Sequence, residues 1–191
     1  LHLVDIERLP IRYTGTLLGA SGVIVGSKSY NVTFSEGTCV GVFSGCDAPT
    51  DFLFTNGADA NAASQALLDQ VLIDVPALGY TFDSSPEKTY GCSNTSRCNP
   101  LTPIYLFGNG ASVFVSYADN ESAAPIDAYW KPDNVAQVGE PVTLNTTSQP
   151  ILVWAVWTEA PATPTVPVPA AAWLFGSGLL GLAGMSRKRA A

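Results

Sequence analysis

Ile151-Leu152-Val153-Trp154-Ala155-Val156-Trp157-Thr158 decides how the chain folds. In a strand, alternate side chains point to opposite faces. One face then carries Ile151, Val153, Ala155 and Trp157. The other carries Leu152, Trp154, Val156 and Thr158. Both faces are apolar, so neither suits water. A strand of this kind lies inside a sheet and is covered on both sides.

The segments upstream supply the rest of that sheet. Ser29–Ser35 alternates, with Tyr30, Val32 and Phe34 on one face and Ser29, Asn31, Thr33 and Ser35 on the other. That is the pattern of a half-buried strand. Ile11–Leu18 and Val23–Val25 are β-prone, and Gly26-Ser27-Lys28 is a short hairpin loop into the next strand. Ile104–Phe107 and Ser112–Ala118 flank Gly108-Asn109-Gly110, a strong hairpin signal. Asp51–Phe54, Asp127–Lys131 and Pro141–Asn145 are weaker strand candidates, and a short turn is expected around Val40–Phe43.

One convincing helix is expected, over Asp59–Asp74. Ala63, Ala66, Leu67, Gln70 and Val71 fall at helical spacing, with Leu68 and Leu72 widening the stripe. Asn56 or Asp59 can cap its start and Pro76 stops it. The expected class is α+β, with a mostly antiparallel sheet and one packed helix. A β-sandwich with an inserted helix is the alternative.

Downstream, the chain changes character. Residues 161–169 form a Pro/Thr linker, Ala170–Ser186 carries no charge, and Arg187, Lys188 and Arg189 follow at once. As a helix, that apolar run spans roughly 26 Å, at the short end for a hydrocarbon core of about 30 Å. Gly176, Gly178, Gly181 and Gly184 weaken it in water but suit close packing in lipid. Trp173 is placed for a membrane interface, and the basic cluster is expected to stay cytoplasmic. The expected layout is an exported domain over 1–160, the linker, and a transmembrane helix with basic tail over 170–191.

Val166-Pro167-Val168-Pro169, then Ala170-Ala171-Ala172-Trp173-Leu174-Phe175-Gly176-Ser177-Gly178-Leu179-Leu180-Gly181, then Arg187-Lys188-Arg189 resembles the PEP-CTERM sorting signal of Gram-negative bacteria. The resemblance covers about the last twenty-six residues. Val168 stands where the name-giving glutamate would be. It implies processing near Val166–Pro169 by exosortase, a membrane protease-transpeptidase often found with exopolysaccharide production. It implies transient anchoring in the inner membrane, then a place at the cell surface or outside the cell. Tyr30–Asp47 also resembles, loosely, uncharacterised domains carried by such proteins. Leu1–Tyr13 holds Asp5, Glu7 and Arg8 and no long apolar core, so an export signal is expected to precede it or to have been removed.

Charge agrees with an exported body. Six cations against sixteen carboxylates leave residues 1–160 at −10, and the three tail cations bring the chain to −7. An acidic body is unsuited to nucleic acid, which wants a basic face. The four cysteines fall in two close pairs. In an exported protein this reads as disulfides. Three connectivities exist, and Cys39–Cys46 with Cys92–Cys98 is favoured because each closes a short, turn-rich loop. A zinc site fits poorly, since its pairs usually lie two to four residues apart.

Chemistry is sparse. His2 is the sole histidine, and no Gly-x-Ser-x-Gly elbow, phosphate loop or HExxH is present. No catalytic residue, metal site or cofactor is assigned. Carboxylate pairs that glycosidase chemistry would need are Asp47/Asp51, Asp69/Asp74 and Asp119/Glu121, most simply read as surface acids. Asp119-Asn120-Glu121-Ser122 and Cys46-Asp47…Asp51 offer oxygen ligands but lack the spacing of an EF-hand. Tyr129-Trp130 is the candidate pair for stacking on sugar, with Tyr105, Tyr117, Trp154 and Trp157 as further aromatics. The four Asn-x-Ser/Thr triplets, at Asn31, Asn94, Asn120 and Asn145, are expected by chance. The expected function is a non-enzymatic structural or adhesive protein of the surface or matrix, with exopolysaccharide or self-association as partners beyond exosortase. A carbohydrate-binding module and a glycosidase-like enzyme are the alternatives.

Overall fold

The computed structural model describes residues 11–13, 15–122 and 133–161. The chain divides into two units, Leu1–Ala160 and Pro161–Ala191. The strands of the first unit are β1 (Arg12–Tyr13), β2 (Leu17–Val25), β3 (Lys28–Ser35), β4 (Asp74–Val75), β5 (Tyr80–Thr81), β6 (Arg97–Phe107), β7 (Ser112–Glu121), β8 (Asn134–Pro141) and β9 (Leu152–Glu159). Its helices are α1 (Cys39–Val42) and α2 (Gly57–Gln70). Short 3-10 turns lie between them.

Seven strands form one sheet in the order β1-β2-β3-β9-β6-β7-β8, while β4 and β5 make a separate two-stranded hairpin. The last strand therefore fills the middle. It runs antiparallel to β3 and parallel to β6, and every other neighbouring pair in the large sheet is antiparallel. The expected class holds, and the alternative β-sandwich does not: the strands form one layer with helices on its faces.

β9 is buried on both faces, as its alternation requires. Val153, Ala155 and Trp157 join a core with Tyr30, Val32 and Phe34 of β3 and Ala60, Ala63, Leu67, Val71 and Leu72 on and after α2. Trp154 points the other way, into a second core with Cys39, Phe43, Cys46, Phe52, Leu101, Val113 and Val115. Each indole N–H finds an acceptor. Trp154 Nε1 donates to the Gly37 carbonyl at 2.9 Å, and Trp157 Nε1 donates to Thr102 Oγ1 at 3.1 Å.

α2 begins at Gly57 because Asn56 caps it, accepting from the Asp59 N–H at 2.9 Å. It ends at Gln70 rather than reaching Asp74. Val71 and Leu72 leave the helix but stay fully buried, so packing turns the chain before Pro76 is reached. Residues 74–75 then pair with 80–81 as the small hairpin. The helix also meets the sheet through polar groups: the Ser116 hydroxyl donates to Asn61 Oδ1 at 2.8 Å and lies 2.9 Å from Ser64 Oγ.

Other boundaries shift for local reasons. β6 starts at Arg97, seven residues before its expected start, although Pro100 and Pro103 interrupt its ladder. Both are buried, and the register slips between Pro103 and Tyr105, a bulge that takes up the missing donor. Phe52 and Phe54 lie outside any strand, one in each core, so Asp51–Phe54 carries the chain from the α1 face to the α2 face. Pro141 ends β8 instead of starting a strand, because Val142 turns back to donate to the Ala111 carbonyl. The expected strand 127–131 lies outside the described residues. Cys39–Cys46 and Cys92–Cys98 are both formed, with Cα atoms 5.6 and 5.7 Å apart.

Leu67→Ala opens a cavity in the first core and is expected to cost about 2–5 kcal/mol. Asn56→Ala removes one cap at about 1 kcal/mol. Urea denaturation of the two variants checks the order, and equal losses would contradict the packing described.

Candidate binding cleft

A cleft of about 400 Å³ opens beside Cys92, lined by Glu36, Gly91, Ser93, Thr147, Ser148, Gln149 and Pro150. Three segments distant in sequence build it. The first follows β3, where the Gly37 N–H donates to Thr146 Oγ1 and the Thr146 N–H donates back to the Gly37 carbonyl, each at 3.0 Å. The second is the loop closed by Cys92–Cys98, held by the Ser93 and Asn94 N–H groups on the Pro150 carbonyl at 2.9 and 3.1 Å. The third is the turn before β9, capped by Asn145, whose Oδ1 accepts from the Thr147 N–H and hydroxyl at 3.1 and 2.8 Å.

Gly91 is a closely packed part of the wall. Its φ is +83, and a Cβ there would stand 2.6 Å from Val153 Cγ2 and 2.9 Å from Glu36 Cγ. Only glycine fits both the backbone and the space. The lining offers one carboxylate, three hydroxyl side chains and one amide. Glu36 makes no ion pair among the described residues. Such a set can exchange hydrogen bonds with a neutral polyhydroxyl ligand. It holds one carboxylate, where glycoside hydrolysis uses two.

The expected carboxylate pairs are engaged elsewhere. Asp51 accepts the Asp47 and Ala48 N–H groups, both at 3.0 Å, and so closes the turn after Cys46. Asp69 on α2 accepts from Gln65, whereas Asp74 in β4 accepts the Asp83 and Ser84 N–H groups. Asp119-Asn120-Glu121 ends β7, so its side chains alternate. Asp119 and Glu121 both pair with Arg97, the former at 3.0 Å. Asn120 points to the other face and donates to the Phe82 carbonyl at 2.9 Å. Among the described residues no three His, Cys, Asp or Glu side chains are placed to hold a metal ion.

Asp119 is 6% exposed and is held further by the Asn134 amide at 3.3 Å and, with the Asn99 amide turned so that its nitrogen faces the carboxylate, by Asn99 at 2.8 Å. Asp133 lies at the same end of the sheet, where its carboxylate accepts the Glu121 N–H at 2.8 Å. One flank of Asp133 is open to water. Burial of the other, with Asp83 and Asp119 nearby, pushes its pKa up to about 7.

The remaining sequence candidates divide simply. Trp154 and Trp157 are core. Tyr105 is 42% exposed and stacks on Phe114, while Tyr117 packs beside the second core. Asn31, Asn94 and Asn145 each accept backbone N–H groups within their own turns or hairpin. Tyr129 and Trp130, the sorting motif Val166–Pro169, the apolar run from Ala170 and the basic end lie outside the described residues. No helix among the described residues is long and apolar enough to cross a membrane. The cleft residues were not anticipated, because no motif links Glu36, Ser93 and Thr147–Gln149. The Cys92–Cys98 loop was the one legible part of its wall. No family model, curated protein or solved structure matches this chain.

The raised Asp133 value fixes the sign of a pH effect. Its protonated form is favoured in the folded state, so its contribution is full below about 4 and is lost as pH rises through about 7. Asp83 and Glu140, both raised by burial, act in the same sense. Urea midpoints at pH 4.5 and 7.5 are expected to differ less in Asp133→Asn than in the parent chain.

Proposed function

We propose that this is an exported bacterial surface or matrix protein, handled by exosortase and used for structure or adhesion rather than catalysis. One observation carries the reading: the ordered run of Val166-Pro167-Val168-Pro169, an uncharged apolar segment, and Arg187-Lys188-Arg189. The body supports it independently. Two formed disulfides suit an oxidising, exported environment, and a net charge of −10 over residues 1–160 suits neither nucleic acid nor anionic lipid. The tail in this reading is a disposable handle, and the folded body is what remains after cleavage.

Deleting Val166–Pro169, or the exosortase, is expected to leave the full-length chain in the inner membrane. Mass spectrometry of membrane and supernatant fractions checks this. Release at unchanged mass would overturn the reading.

A second reading, binding of exopolysaccharide, is favoured by the cleft. Its hydroxyls, its amide and Glu36, which makes no ion pair among the described residues, suit sugar hydroxyls better than a charged or apolar ligand. Glu36→Gln and Gln149→Ala are expected to weaken retention on immobilised neutral polysaccharide while leaving the urea midpoint unchanged. Equal retention by parent and variants would remove the cleft from consideration.

A further inference from the structure

We propose that the outer edge of β8 pairs antiparallel with the β8 of a second copy of this chain, centred on Val138. The proposal deepens the structural reading above by naming a surface and a partner, and its test does not depend on tail processing.

The two ends of the sheet differ. At one end, β1 comprises two of the described residues, with an irregular register on β2. So short a described stretch offers little to pair with. At the other end, β8 has eight residues in unbroken register with β7, and β7 is its sole strand neighbour among the described residues. Its outward N–H and C=O groups are a template for another strand. The usual guards are missing from Asn134-Val-Ala-Gln-Val-Gly-Glu-Pro141. It contains no lysine or arginine and no bulge, and its proline stands at the very end.

Apolar groups flank this edge on both faces. Val138, on the face of the second core, is 36% exposed. On the opposite face, the Phe107 ring reaches across from β6 to lie over Gly139, where an added Cβ would stand 2.5 Å from Phe107 Cζ. Phe107 itself remains 41% exposed. An edge with an apolar rim above and below suits a strand that brings the same rim. Pairing centred on Val138 sets Val138 against its own copy and Gly139 against Gln137. Glu140, the one charge in the strand, then faces Ala136 rather than another glutamate. Like charges directly opposed would disfavour the pair, and this register avoids them. An eight-residue seam alone is small beside the 1,200–2,000 Å² of a standard interface, roughly stated. A weak dimer results, one favoured by crowding at a surface.

Val138→Cys in the full chain tests the seam directly. Residues directly opposed across antiparallel strands have Cα atoms about 4.5–5.5 Å apart, within disulfide reach. A dimer band on a non-reducing gel is expected from mildly oxidised cells carrying Val138→Cys, and none from Leu78→Cys, an exposed control away from β8. Val138→Lys sets two lysines against each other and is expected to abolish concentration-dependent dimer in sedimentation of the full chain in non-ionic detergent. Equal cross-linking at both positions would overturn the proposal. So would a dimer unchanged by Val138→Lys, or a chain monomeric at every concentration whose β8 edge instead retains polysaccharide.

Discussion

β9 must be buried on both faces and bonded on both edges, and the rest of the body is arranged to let it. Two three-stranded meanders, β1–β3 and β6–β8, would each present an open inner edge. The final strand closes both at once. Its two tryptophans take opposite faces, and each face then needs its own cover. α2 covers one, while the Cys39–Cys46 loop with Phe43 and Phe52 covers the other. Phe43 and Phe52 pack edge-on, and Phe43 also meets Trp154 edge-on with ring centres 5.5 Å apart. The disulfide therefore does more than shorten a loop: it shapes a small apolar lid over Trp154. The crossing at Asp51–Phe54 follows, since one chain must serve both layers.

This arrangement explains what could be read from residues alone. Strand alternation at Ser29–Ser35 and the two-sided run at 151–158 report burial directly, so their reading survived intact. So did the glycine-bearing hairpins, because Gly26 and Gly108-Asn109-Gly110 adopt positive φ that few residues tolerate. Both cysteine pairings were legible from loop length. The failures share a cause, which is tertiary context overriding a local signal. Pro100 and Pro103 argue against a strand, yet β6 lies inside the sheet with a bulge beside Pro103. Pro76 advertises a helix end, yet the core turns Val71 and Leu72 out of α2 earlier. Neither effect is visible without the neighbours.

The cleft was illegible for a different reason. Its side chains come from three loops, and each is ordinary in its own neighbourhood. What assembles them is backbone: Gly37 with Thr146, Ser93 with Pro150, and the space left by Gly91. Acidic residues mislead in the opposite direction. Asp47 with Asp51 and Asp119 with Glu121 look like paired chemistry in the sequence. In the fold they close a turn and neutralise Arg97. Asp133 lies at the same end of the sheet, where burial of one flank, with Asp83 and Asp119 nearby, raises its pKa although the other flank meets water.

The order of the chain gives the central strand a mechanical meaning. Glu159 ends β9, and Pro161 opens the segment that leads to the tail. Any tether placed beyond that point pulls on the strand in the middle of the sheet, not on a peripheral hairpin. The load passes first to β3, paired with Trp154–Glu159, and then to β6, paired with Leu152–Trp154. A body hung from its innermost strand cannot be unzipped one bond at a time from an edge. Traction applied beyond Pro161 would meet a strand bonded on both edges before any peripheral element.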